Sequence, residues 1–346
     1  MVGGGTGRLI AALTVAVALP AAASAPARAG DDGEVRSQWA LAQVGAPQAW
    51  ARTTGAGIRI GIVDTGVDIA HEDLTSKVLA ATTCIGAAGD PARCSGSGAD
   101  DNGHGTHVAG IAAAIRGNGV GIAGIAPDAD LVVAKAVAAT GAATVADVVA
   151  GIKWVVDHGA RIVNLSLDSP AMTFAGARAD AVEEGLDYAW SRGAIPVLSA
   201  GSPRRLGVGL GGRSDRDLNA VVAGATGADG RMAPSSPPTG DARLAVLAPG
   251  GRGAPSGDPA TEVLSTFWEA GRHDAYDARG GPSAAAAYVS GALALLLAEG
   301  YNGLGAVERL LSSADGRVPC GEGSPDCYGL IDVATATAGP VQQSSR

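Results

Sequence analysis

Three residues in this chain could together supply an acid, a base and a nucleophile. Asp64 closes the apolar run of "IRIGIVDTG", His104 sits in "DDNGHGTHVAG", and Ser283 sits in "GGPSAAAAYVSG". A serine hydroxyl attacks poorly until a base takes its proton, imidazole is a base near neutral pH, and a carboxylate behind it fixes its tautomer. The chain order Asp, His, Ser is one of the known orders of such a triad. Each residue alone has a plainer reading. An aspartate at a strand end forms turns, a histidine in a glycine loop is solvated, and a serine before a helix is an N-cap.

These residues need a frame that brings distant segments together. The runs "IRIGIVDTG", "DADLVVAKAV", "ARIVNLSL", "AIPVLSAG", "NAVVAGAT" and "ARLAVLAPG" read as buried strands. Between them, "THVAGIAAAIRG", "TVADVVAGIKWVVDHG" and "ADAVEEGLDYAWSRG" read as helices, and "SAAAAYVSGALALLLAEG" and "GAVERLLSSA" follow as a buried and a surface helix. Strands alternating with helices predict an α/β fold with a mostly parallel sheet and helices on both faces. In such sheets ligands sit at the carboxyl ends of the strands. The polar residues there are Asp64, Ser166, Asp168 and Ser202. Gly119, Gly121 and Gly124 match a dinucleotide fingerprint, but a helix precedes them and a strand follows, the reverse of what that site needs.

Composition narrows the class. The chain has 346 residues, 47% hydrophobic and 3% aromatic, so an aliphatic core of one large domain is expected. The net charge of −9 and the lack of a basic stripe argue against a nucleic-acid partner. Residues 1–29 pattern as a secretory signal, with Arg8 before an apolar run and small residues around a cut between Ala25 and Ala29. The alternative is an N-terminal membrane anchor; no further span is expected after the signal is removed. A single folded domain would then fill residues 30–335, and 336–346 would be a disordered tail. Export makes two local disulfides, Cys84–Cys94 and Cys320–Cys327, the simplest of the three pairings. A metal site is the weaker reading, since neither spacing is C-x-x-C and no histidine lies near.

Taken together, the motifs resemble those of the subtilisin-like serine proteases. "VDTGVD" resembles the Asp motif of that family, "NGHGTHVAG" matches its His motif almost letter for letter, and "GGPSAAAAYVSG" resembles its Ser motif. "IVNLSL", "VVAGATGADGRMAPSS", "LAVLAPGG", "VLSTFW" and "YGLIDV" follow in family order, so the resemblance runs from about Trp39 to Ala334. It implies the subtilisin-like three-layer fold and a secreted, monomeric serine endopeptidase acting on proteins or peptides without a catalytic cofactor. Structural calcium is common in the family, and the sequence assigns no ligands to it. The resemblance gives Asp64, His104 and Ser283 the triad roles, and His107 a structural one. It gives Ser166, Leu167, Asp168, Ser199, Ala200 and Gly201 the substrate-binding strands. The oxyanion donors would be the Ser283 backbone N–H and Ser202.

The pattern departs from the family in three places. Ser202 stands where the family has an asparagine donor, Pro282 where it has a threonine, and Asp168 where it usually has a glycine. Losing that asparagine in subtilisin itself costs about 10²–10³ in turnover, so the expectation is a weakened protease. The alternative is a pseudoprotease that binds extended peptides without cutting them. Asp168 is expected to favour basic substrate residues, to crowd the cleft, or to point outward from a turn. About thirty residues separate the signal from the first core strand, too few for the folded prosegment of many relatives.

Overall fold

The structure is a computed structural model and describes residues 1–3, 32, 37–169, 172–176, 181–206, 215–253 and 257–339. Residues 4–29 of the expected signal lie outside the described residues.

The chain enters through two short helices, α1 (Trp39–Gln43) and α2 (Ala46–Ala49). Then come β1 (Arg59–Asp64), β2 (Val78–Thr83), α3 (His104–Ala113), β3 (Asp130–Lys135), β4 (Ala142–Thr144) and α4 (Val145–Asp157). The middle of the chain holds β5 (Ile162–Leu165), β6 (Thr173–Ala175), α5 (Ala181–Ser191), β7 (Ile195–Ser199) and α6 (Ser202–Arg205). It is followed by β8 (Val221–Thr226), β9 (Ala245–Pro249), the pair β10 (Val263–Glu269) and β11 (Arg272–Arg279), and α7 (Pro282–Ala298). The last elements are α8 (Gly303–Ser313), β12 (Cys327–Leu330) and α9 (Val333–Ala338).

Eight strands form one sheet in the order β12-β9-β8-β7-β5-β1-β3-β2. Every pairing in it is parallel. Side chains alternate faces along each strand, and the core divides accordingly. Ile60 and Ile62 of β1 join α3 and α7 on one face, while Val63 joins α4 and α5 on the other. Helix α7 is apolar all round because it is buried on every side, from Ala284 to Leu297. Its run of four alanines lets the backbone approach the sheet closely.

One expected boundary and one set of elements differ from the structure. The chain stays helical to Ala338, with Ala336 and Thr337 buried, so the packed region reaches past residue 335; residues 340–346 lie outside the described residues. β2 and the β10–β11 hairpin were not expected as strands. β2 is a sheet edge and half-exposed, and the hairpin stands outside the main sheet with polar residues on one face, so neither reads as an apolar run. The glycine run 119–124 is an irregular loop between α3 and β3, as its flanks imply.

Both expected disulfides are present, Cys84–Cys94 and Cys320–Cys327. Non-reducing peptide mapping of the purified protein should recover these two linked pairs and no free thiol. The enclosed loops are short, so removing either bridge should cost at most ~2–3 kcal/mol. A crossed pairing in the map would contradict the fold around both edges of the sheet.

Candidate active site

The three chemical residues arrive from three elements at the carboxyl edge of the sheet. Asp64 is the last residue of β1, His104 the first of α3, and Ser283 the second of α7. His104 Nδ1 lies 2.8 Å from Asp64 Oδ1, and His104 Nε2 lies 3.1 Å from Ser283 Oγ. Asp64 is fully buried and its Oδ1 also accepts the Thr65 N–H at 2.7 Å. The His104 side chain keeps 21% of its surface exposed, an opening toward a substrate.

The contact between Asp64 and His104 depends on how tightly α3 meets β1. A Cβ built on Gly105 would lie 2.1 Å from the Gly66 carbonyl oxygen and 3.2 Å from Asp64 Cβ. Asp100 then pins the start of α3. Its Oδ2 accepts both the Thr106 N–H (3.0 Å) and the Thr106 hydroxyl (2.6 Å). Its Oδ1 accepts the Thr65 hydroxyl (2.9 Å), which itself accepts the Gly105 N–H (2.9 Å). One buried carboxylate therefore ties the residue after Asp64 to the residues after His104. Lys135, at the end of β3, donates to the Thr65 carbonyl at 2.5 Å and to Asp101 at 2.6 Å. Sequence reasoning passed over Thr65, Asp100 and Lys135. The acidic run before the histidine motif was the available signal for Asp100.

A second polar ladder seats α7. Ser290 donates to Asn164 Oδ1 (2.9 Å), Asn164 Nδ2 donates to Ser166 Oγ (2.8 Å), and Ser166 donates to the Ser283 carbonyl (2.8 Å). Helix α7 starts at Pro282, whose fixed φ suits the first helical position, with Gly281 as N-cap at φ 138°. Ser283 is therefore not the cap of its helix. Its hydroxyl faces His104, the Ser166 carbonyl (3.3 Å) and Asp168.

The electrostatics suit a base at position 104. Burial of the ring opposes its cation. The adjacent Asp64 carboxylate and its hydrogen bond, with Asp168 and Asp100 behind, outweigh that and raise the His104 pKa. His107 behaves oppositely. Burial pulls it down to about 4, and its Nε2 is 3.0 Å from the Val263 carbonyl on β10. It is a neutral strut between α3 and the hairpin.

The remaining expected site residues fall into two groups. Ser166, Leu167 and Asp168 continue from β5, and Ser199, Ala200 and Gly201 continue from or end β7, side by side in the sheet. Leu167 and Ala200 are fully buried, and their N–H groups are already spent on Ser202 Oγ and on the Ala223 carbonyl. Ser202 is fully buried at the start of α6, accepts the Leu167 N–H (3.2 Å) and bonds Ser199 Oγ (2.7 Å), so its hydroxyl is held by groups of this chain. Asp168 does not point outward from a turn: its half-buried carboxyl crowds the nucleophile, with Oδ1 2.7 Å from Ser283 Oγ.

Calcium is typical of the family that these features indicate. Among the described residues no three His, Cys, Asp or Glu side chains gather to hold a metal ion. No ligand set is assigned.

The sequence model of the subtilase family (peptidase S8) matches residues 55–314. The chain belongs to the subtilase family. It is 36% identical over 165 residues to thermitase of Thermoactinomyces vulgaris, covering 48% of this chain and 54% of that protein. It is 32% identical over 268 residues to a thermophilic serine proteinase of Bacillus sp. (strain AK1), covering 77% and 59%. Against subtilisin Savinase of Lederbergia lenta it is 33% identical over 259 residues, covering 75% and 83%. The match thus spans less than two thirds of the length of thermitase and the AK1 proteinase. A solved structure of a protease from Pseudoalteromonas arctica has the same fold. It has a TM-score of 0.71 at 24% identity and covers 90% of this chain and 99% of that one.

Proposed function

We propose that this chain is a secreted serine endopeptidase that hydrolyses peptide bonds through Asp64, His104 and Ser283. The observation that carries the reading is the unbroken line from Asp64 through the two nitrogens of His104 to Ser283 Oγ, at 2.8 and 3.1 Å. Ser283 Oγ attacks the scissile carbonyl carbon as His104 Nε2 takes its proton. Asp64 holds the Nδ1–H tautomer and stabilises the imidazolium. His104 then protonates the leaving amine, an acyl-enzyme ester forms on Ser283, and water activated by the same imidazole releases it. The Ser283 N–H, in the first turn of α7, is the backbone donor to the oxyanion, and the helix N-terminus adds partial positive charge.

Extended substrate lies along the strand ends 166–168 and 199–201, where the two segments leave the sheet. Two local disulfides and the signal pattern support a place outside the cell, with the protein acting as a monomer on proteins or peptides. Among the described residues no single helix is long and apolar enough to cross a membrane.

A second reading is favoured by one observation, the inward turn of the Ser202 hydroxyl, which leaves the oxyanion short of a side-chain donor. It is a peptide-binding relative that does not turn over. Digestion of a denatured protein such as casein separates the two. Cleavage by the wild type that disappears in Ser283→Ala supports the endopeptidase. No cleavage at any pH, with peptides still bound, supports the second reading.

A further inference from the structure

The Ser283 hydroxyl carries one hydrogen and faces two strong acceptors. His104 Nε2 is 3.1 Å away and Asp168 Oδ1 is 2.7 Å away. The shorter distance is that of a hydroxyl donating to a carboxylate, a bond about twice as strong as one between neutral groups. The far side of Asp168 is also built. Ser199 hydrogen-bonds its carboxyl, Ser202 bonds Ser199 at 2.7 Å, and Leu167 N–H donates to Ser202 Oγ at 3.2 Å. The hydrogens can run one way along this chain, from Leu167 N–H through Ser202 and Ser199 into the carboxyl of Asp168. Ser202 thus supports Asp168.

We propose that Asp168 is a proton-operated gate on the nucleophile. As a carboxylate it takes the Ser283 hydroxyl hydrogen away from His104. As a carboxylic acid it donates to Ser283 Oγ and releases that hydrogen to the base. The proposal rests on the endopeptidase reading above and adds a state in which that enzyme is shut. The shut state carries a second penalty, because an anion this close to Ser283 also repels the oxyanion that forms on the carbonyl. The open state needs no new reactant. One proton moves onto Asp168, and the proton leaving Ser283 during attack still goes to His104.

Among the described residues the charged groups around the gate are few. His104 faces Asp168 across Ser283, and Asp64 and Asp100 lie behind His104. Burial raises the Asp168 pKa, against the pull of Ser199, Ser283 and His104, while its neighbouring carboxylates raise that of His104. The two groups titrate as a coupled pair. With both protonated, the base is blocked. With neither protonated, the gate is shut. Only the intermediate state, with its single proton on Asp168, is competent, so the pH–rate profile is a bell. Without a carboxylate at 168, activity rises as His104 deprotonates and then stays level.

The test is the rate of fluorophosphonate labelling of the full chain from acid to alkaline pH. It compares wild type, Asp168→Asn and Asp168→Gly, with Ser283→Ala as the blank and thermal unfolding recorded for each. The asparagine keeps the shape and a hydrogen bond to Ser283, so it guards against loss of folding. The wild type should give a bell. Both variants should give a plateau, labelling roughly tenfold or more faster than wild type near about pH 9. A wild type with an alkaline plateau, or folded variants that label no faster there, overturns the gate. Either outcome leaves the endopeptidase reading intact while Ser283→Ala stays unlabelled. Labelling of Ser283→Ala breaks that reading instead.

Discussion

Asp64→Asn should lower kcat by about ten-thousandfold while leaving KM and the thermal stability nearly unchanged. The magnitude is that of the same substitution in a trypsin-type triad. Its cause here is visible in the bonds of one oxygen. Asp64 Oδ1 accepts from both His104 Nδ1 and Thr65 N–H. If the carboxamide keeps its oxygen on Thr65, the ring can still bond it, but the imidazolium loses its counter-charge. If the amide flips, it donates to Nδ1 and forces the proton onto Nε2, the atom that must receive the Ser283 hydrogen. Both outcomes damage the base, and neither touches the strand ends that would bind peptide. A variant that binds substrate normally but turns over slowly is therefore expected. A loss confined to KM, or a loss below about tenfold, would remove Asp64 from the catalytic line.

The second large effect is expected from a glycine with no chemistry of its own. Gly105→Ala places a methyl group 2.1 Å from the Gly66 carbonyl oxygen, a backbone atom held by the sheet end, so α3 must shift away from β1. Overpacking of this kind costs about 1–3 kcal/mol. The catalytic loss should be larger than the stability loss suggests. A displacement of about 1 Å costs on the order of 10² in rate, and the shift acts directly on the 2.8 Å contact between His104 and Asp64. Thermal unfolding and peptide hydrolysis on the same preparation check this. A folded Gly105→Ala with wild-type turnover would show that α3 is not held by that approach.

Much of the frame was legible in the sequence because the sheet interior is buried on both faces. β1, β3, β5, β7, β8 and β9 read as continuous apolar runs for that reason. β2 did not, because an edge strand exposes Leu79 and leaves its neighbours half-covered. The triad candidates were legible because each sits in a motif with glycines and small residues that only a close helix–strand approach requires. Side-chain direction was not legible. Ser202 looked like a donor by position, yet α6 turns its hydroxyl into the protein, toward Leu167 and Ser199. Asp168 looked like a turn or cleft residue, yet it meets a serine 115 positions away. That contact is set jointly by the end of β5, the end of β7 and the start of α7. No local pattern encodes the meeting of three segments. The support given by Thr65 and Asp100 was hidden in the same way, since their hydrogen bonds close only when the His104 helix docks on the end of β1.

The central claim is that Ser283 is a nucleophile activated by His104. The most direct measurement is fluorophosphonate labelling of the purified mature protein, with the modified residue located by peptide mass spectrometry. Labelling is measured near neutral pH and repeated under mildly acidic conditions. The account predicts one adduct, on Ser283, in the wild type, and none in Ser283→Ala or His104→Ala. An adduct on another residue, or labelling of folded Ser283→Ala at the wild-type rate, would contradict it.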